Sequence, residues 1–259
     1  MRRALSGVAP ETAAAVLSAR ARAHSQRLVQ QWGLGDLNQK LIRELGTRVL
    51  SGPFAGMTLT PMTYREHVGP YLLGTYEMEL HPWWEQVFQQ SFAQILDVGA
   101  KFGYYAVGLA RRFPGVPNVA FDTDWWARKA VREMAAANDA AAISVQTFCS
   151  PAWLADRLLD GALIVSDCEG YEQSLFCSTS IDRLGRATMI IETHEFAVSG
   201  VRADLTARFA PTHVIFEESS CATPPRPSVV ARSLTEEELV RVSHEVRPPQ
   251  TWMFLVPKR

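Results

Sequence analysis

Ile95-Leu96-Asp97-Val98-Gly99-Ala100-Lys101-Phe102-Gly103-Tyr104-Tyr105 is the stretch that decides how this chain folds. An apolar run ends in an acid, turns on glycine and enters a helical pattern. Glycines allow a tight turn and close backbone approach, and a helix N-terminus offers free N–H groups to an anionic ligand. The spacing is Gly-x-x-x-Gly rather than GxGxxG, and no Gly-Lys-Ser/Thr follows as in a P-loop. Asp97, Gly99, Ala100, Lys101 and Gly103 are the candidate ligand-loop residues.

Downstream of this stretch, short apolar runs alternate with helical segments, the pattern of βα units and a parallel sheet. Strands are expected at 94–98, 118–122, 143–148, 163–167, 188–193, 213–217 and 252–256, and helices at 102–112, 125–138, 151–159, 171–184, 201–209 and 235–242. Upstream, residues 10–48 read as an Ala-rich helical extension broken at Gly33 and Gly35, and 76–91 as a helix rich in aromatics. The expected division is an N-terminal extension with a lid-like segment over 1–70 and the main domain over 71–259. A Pro-rich segment, 219–233, is long enough to read as a functional or mobile loop.

With 259 residues, 47% hydrophobic and 20% charged, the chain can bury a full core. A net charge of -1 gives no field for gathering nucleic acid or anionic lipid. Arg supplies 22 basic residues and Lys 4, scattered among carboxylates, which reads as a coding bias. No apolar run approaches a membrane span, and Pro10 and Glu11 break the chain after Arg2-Arg3 before an export signal could form. A cytoplasmic protein is expected, with Cys149, Cys168, Cys177 and Cys221 as free thiols, because their spacing matches neither CxxC nor a zinc set.

A second acid-tipped strand ends in Phe121-Asp122-Thr123-Asp124, with Asp122 lying 25 residues after Asp97. An acid there can accept both hydroxyls of a ribose. Asp124, immediately before Trp125, fits a helix cap better. The motifs Asp97-Val-Gly-Ala-x-x-Gly-Tyr-Tyr, Ala120-Phe-Asp and Asp167-Cys-Glu-Gly-Tyr-Glu172 together resemble class I S-adenosylmethionine-dependent methyltransferases of the FkbM-like group. The resemblance spans roughly 70–257, with Leu73-Gly-Thr-Tyr-Glu77 as a weaker match upstream. It implies a Rossmann-like seven-stranded α/β sheet, mostly parallel with only the last strand antiparallel, flanked by helices. It also implies that Gly99, Ala100 and Gly103 hold the methionine part of S-adenosylmethionine, that Asp122 with Thr123 holds ribose, and that Phe148 and Cys149 line adenine. Lys101, where the group often has a small polar residue, either pairs with the cofactor carboxylate or points into solvent.

Asp167 and Glu169 after the fourth strand, with His194 and Glu195 after the fifth, would meet at the carboxyl edge of such a sheet. Two chemistries fit. His194, with a pKa near 7, could act as general base oriented by Asp167 or Glu169. Alternatively Asp167, His194 and Glu195 could hold a divalent cation such as magnesium, as in metal-dependent O-methyltransferases, which this pattern resembles. Glu169 and Glu172 also suit the start of a helix electrostatically. The reading is a soluble methyltransferase acting on a hydroxyl of a small molecule or a sugar-containing natural product. Homo-oligomerisation is compatible with these features. A non-catalytic cofactor-binding scaffold is the alternative; a nicotinamide-dependent oxidoreductase should show GxGxxG and a Tyr/Lys site, which are not found.

Overall fold

Strands rich in Val, Ile and Leu with no polar face must be covered on both sides, and this constraint sets the layers of the molecule. The computed structural model describes residues 9–64, 67–220, 231–247 and 249–258. Its strands are β1 (Ile95–Val98), β2 (Asn118–Phe121), β3 (Ser144–Gln146), β4 (Leu163–Ser166), β5 (Thr188–Thr193), β6 (His213–Ser219) and β7 (Thr251–Pro257). They form one seven-stranded sheet in the order β3-β2-β1-β4-β5-β7-β6. β1 to β5 run parallel, and β7 is antiparallel to both β5 and β6. The expected fold class is the one observed. The chain runs outward from β1 to β3 and then crosses to β4, so β1 and β4 flank the switch point where open α/β sheets bind ligands.

The helices are α1 (Pro10–Gln31), α2 (Leu34–Leu45), α3 (Pro61–Tyr64), α4 (Gly69–Leu73), α5 (His81–Val87), α6 (Tyr104–Arg112), α7 (Trp125–Ala136), α8 (Pro151–Arg157), α9 (Glu172–Leu175), α10 (Ile181–Leu184), α11 (Val201–Phe209) and α12 (Glu236–Ser243). One face of the sheet carries α6, α7 and the segments upstream of β1; the other carries α8 to α11. Asp124 caps α7 by accepting the Trp126 N–H at 2.9 Å, as its position suggests. Two expected helices are shorter than their patterns. The 171–184 helix is split into α9 and α10, where the Ser180 hydroxyl bonds the Leu175 and Cys177 carbonyls and diverts the backbone. Over 76–91 only a short 3-10 turn (Met78–Leu80) and α5 form, because Glu77 takes a left-handed conformation and Pro82 sits in the first turn of α5.

Leu34, Leu37 and Leu41 of α2, together with Phe54, Met57 and Leu59, share one core with Ile95, Leu109 and Trp252. Phe54 is the hub, its ring 5.3 Å from Tyr104, 5.5 Å from Trp84, 5.9 Å from Tyr105 and 6.0 Å from Phe88. Trp83 and Trp84 are core residues. Residues 221–230, with Cys221, Pro224, Pro225 and Pro227, and the Arg2-Arg3 start lie outside the described residues; Cys149, Cys168 and Cys177 are free thiols. No helix among the described residues is long and apolar enough to cross a membrane.

Two glycines in helices give opposite expectations. A Cβ on Gly108 would lie 2.3 Å from the Phe54 ring, which its aromatic neighbours hold in place. Gly35, in α2, has nothing within 4 Å. Gly108→Ala should therefore destabilise by about 1–3 kcal/mol, and Gly35→Ala should stabilise by about 0.5–1 kcal/mol. Urea unfolding of both variants reads the contrast directly.

Candidate active site

Close backbone contact between the loops after β1 and β4 builds the floor of the site. Gly99 has φ +90°, and a Cβ there would lie 1.7 Å from the Asp167 carbonyl oxygen, so only glycine fits. Lys101 also takes a left-handed conformation, with φ +50°. Its N–H donates to Asp122 Oδ2 at 2.9 Å, while Asp122 Oδ1 accepts the Asp124 N–H at 2.8 Å. The Asp122 carboxylate is thus fixed at the end of β2 facing the glycine loop, with a second lone pair on each oxygen free to accept further bonds. Burial pushes its pKa up to about 6. Thr123 is half-buried beside it.

The remaining expected cofactor residues divide. Phe148 is half-buried, its ring 5.2 Å from that of Tyr171, but Cys149 is turned into the apolar core, where burial pushes its thiol up. Ala100 is buried in the loop. Asp97 is also buried, and it braces the start of α6 by accepting the Ala106 N–H at 2.8 Å. Asp97 and Cys149 therefore support the site from beneath rather than open onto it.

At the ends of β4 and β5 the structure collects a dense set of ionisable groups. His194 is 1% exposed. Its Nδ1 lies 2.6 Å from Oε1 of the fully buried Glu172. Its Nε2 faces Glu192 Oε2 at 3.3 Å, Asp167 Oδ1 at 3.4 Å and Glu169 Oε2 at 3.6 Å. Behind Glu192, Arg247 contacts Glu192 Oε1, Glu245 at 2.7 Å, Glu77 at 3.3 Å and Glu79 at 3.6 Å, and the Tyr105 hydroxyl donates to Glu77. Seven carboxylates therefore surround one imidazole and one guanidinium.

Glu195, expected as a metal ligand, is not part of this set. It is exposed, and its carboxylate accepts the Gly200 and Arg202 N–H groups at 2.7 and 3.0 Å. The reason is the two-residue period of an extended chain: Glu192 and His194 share a side and Glu195 points away. Glu192 takes its place, and the i, i+2 spacing is the signal for it. Glu172 reads in sequence as a helix-dipole residue and is instead the partner of the His194 ring.

Charge balance decides what the cluster can do. Burial works against a charge on His194, but the Asp167, Glu172 and Glu192 carboxylates outweigh it and raise the imidazole pKa strongly. An imidazole held as a cation has a lone pair to offer only once its Nε2 proton is displaced, as a divalent cation would do on binding. Burial and the Asp167 charge raise Glu169 and Glu192, as expected where negative groups outnumber positive ones. A divalent cation fits the donor set. Asp167, Glu192 and His194 offer ligand atoms all within 4.8 Å of one another. The separations of 3.3 and 3.4 Å from Nε2 exceed a good hydrogen bond and are close to the roughly 3 Å between neighbouring donors around one small cation. Glu172 on Nδ1 is the outer carboxylate that metal-binding histidines use to fix their tautomer. Two carboxylates and one imidazole suit magnesium or manganese better than zinc.

No protein-family model and no curated protein matches the chain. Among solved structures, an O-methyltransferase from Bacillus cereus in complex with SAH superposes with a TM-score of 0.48 at 13% identity, covering 86% of this chain and 90% of that one. Precorrin-6y C5,15-methyltransferase from Geobacter metallireducens gives 0.47 at 12% identity, covering 65% and 82%. The O-methyltransferase TomG from Streptomyces achromogenes, in complex with SAM, gives 0.45 at 12%, covering 66% and 77%. These likenesses are distant, and the strand order and direction of this sheet define the fold.

Asp97 makes the site's electrostatics measurable. Burial raises its pKa from 3.8 to about 7 in the folded protein. Its contribution to stability is therefore complete below about pH 4 and is lost as pH rises through 7. Asp97→Asn keeps an oxygen for the Ala106 N–H and removes the titration. The variant should gain on the wild type as pH rises over that range, by up to about 1.4 kcal/mol for each pH unit, and level off above it. Urea unfolding across pH checks this; a constant difference would contradict it.

Proposed function

We propose that this chain is an S-adenosylmethionine-dependent O-methyltransferase that binds its acceptor hydroxyl at a divalent cation held by Asp167, Glu192 and His194. The single observation that carries the reading is the buried His194 ring, fixed by Glu172 on one nitrogen and facing two carboxylates with the other. One of those carboxylates, Asp167, follows β4 and touches the glycine loop at the switch point of the sheet. The motif resemblance supports the same reading and suggests the FkbM-like group. The acceptor class proposed is a small molecule or a sugar-containing natural product.

Each residue then has its own part. The Gly99–Gly103 turn allows close backbone approach for the methionine end of the cofactor. Asp122, held by two backbone N–H groups, accepts the ribose hydroxyls, and Phe148 offers its ring edge to adenine beside Tyr171. When bound, the cofactor supplies an electrophilic methyl group and the cation supplies a Lewis acid that lowers the acceptor's pKa. Asp167 and Glu192 provide anionic oxygens, and Glu172 takes the Nδ1 proton in a hydrogen bond that leaves Nε2 as the donor atom. Glu169 stands at the partly exposed rim with a raised pKa, so its Oε2 is suited to take the acceptor's proton. Rate then comes from holding acceptor oxygen and methyl in line. A cofactor-binding scaffold would have no use for so many buried carboxylates, which cost stability.

Calorimetric titration with S-adenosylmethionine should show binding that Asp122→Ala weakens by about tenfold or more, the loss expected for charge-assisted hydrogen bonds. NAD(H) should not bind. Wild-type cofactor affinity in Asp122→Ala would overturn the ribose assignment. With hydroxylated acceptors, EDTA should abolish turnover and magnesium or manganese restore it; turnover indifferent to EDTA would remove the cation from the mechanism.

A further inference from the structure

The Glu192 carboxylate has two oxygens with different partners. Oε2 faces His194 Nε2 at 3.3 Å, inside the proposed cation site, and Oε1 is taken by Arg247 Nη1. The guanidinium is fixed from its other sides. Nε donates to Glu245 Oε2 at 2.7 Å, and Nη2 lies 3.3 Å from Glu77 Oε1. These partners are tied to each other, because the Glu77 N–H donates to Glu245 Oε1 at 2.7 Å. Glu77 is fully buried in a left-handed conformation and also accepts the Tyr105 hydroxyl. Arg247 is thus a planar fork hydrogen-bonded to Glu245 on one side and to Glu192 of β5 on the other, with Glu77 in ion-pair range of its remaining nitrogen.

We propose that Arg247 is a positioning residue for the cation site: its fork holds Glu192 Oε1 so that Oε2 is presented beside Asp167 Oδ1 and His194 Nε2. The inference rests on the cation reading above and adds to it how the site is held open. An unsecured Glu192 among so many carboxylates would turn from Asp167 or take a proton, and either would cost a ligand. The fork geometry, not the charge alone, does this, since a lysine ammonium cannot contact Glu192, Glu245 and Glu77 from three fixed nitrogens. It also gives Tyr76-Glu77, upstream of the sheet, a purpose, because Glu77 steadies the residue that orients a ligand more than 100 positions later.

The test uses Mn(II) as the probe, with binding to the full chain followed by electron paramagnetic resonance. Wild type, Arg247→Lys, Glu192→Gln and the double variant are compared, with S-adenosylmethionine affinity and thermal unfolding measured in parallel. Arg247→Lys should weaken Mn(II) binding by about 10–100-fold, the usual effect of losing an outer partner of a ligand, while cofactor affinity stays within about twofold, a split that general loosening of the fold would not produce. The double variant should bind Mn(II) no worse than Glu192→Gln, because Arg247 acts through that carboxylate. Wild-type Mn(II) affinity in Arg247→Lys, or full additivity in the double variant, would overturn the positioning role while leaving the cation reading intact. Failure of the wild type to bind Mn(II) would overturn the cation reading and this inference together. Should Arg247→Lys not fold, Glu245→Gln, which loosens the fork without touching a ligand, must weaken Mn(II) binding, and an unchanged affinity would sink the proposal.

Discussion

The His194–Glu172 pair is the interaction on which the rest of the site depends. Both side chains are essentially out of water, and the 2.6 Å contact fixes the ring so that its second nitrogen faces Asp167 and Glu192. Taking charged groups out of water is expensive unless they are matched. Here the carboxylates outnumber the cations, and several are pushed toward protonation by one another and by burial. A bound cation would relieve that imbalance. The arrangement thus stores an affinity for positive charge at the strand ends.

The sheet supplies the geometry. Parallel pairing of β1 with β4 and of β4 with β5 brings the loops that carry Gly99, Asp167 and His194 side by side. The missing side chain at Gly99 lets the first two loops touch. The antiparallel β7, inserted between β5 and β6, sets the preceding segment so that Arg247 reaches Glu192. On the opposite side of the loop Asp122 is held by two backbone N–H groups. The Asp122 and His194 ends of the site are therefore fixed by different elements, and each can be perturbed alone.

How much of this is legible in the chain depends on the range of the interactions. Buried strands show as short apolar runs ended by acid or glycine, so the sheet, the Gly99 turn, Asp122 and the Asp124 cap are all visible locally. Asp167 and His194 are legible because strand order brings consecutive loops together. Glu195 stands out ahead of Glu192 because it adjoins His194 in sequence, whereas an extended chain puts alternate residues on one side. Glu172 is hidden by an equally good local reading as a helix-start residue. Arg247 is invisible for a plainer reason: Glu192 and Glu77 lie 55 and 170 positions away, and no local pattern marks it. The split between α9 and α10 comes from a serine hydroxyl bonding the backbone, which periodicity does not register.

Anomalous diffraction at the manganese edge, from crystals of the protein soaked with manganese and S-adenosylhomocysteine, would show most directly whether this cluster holds a cation. One strong peak is expected, coordinated by Asp167, Glu192 and His194, with Glu172 still on the far side of the ring and the nucleoside on Asp122. A structure with the nucleoside bound and no peak at this cluster, or with the ion held elsewhere, would contradict the cation site.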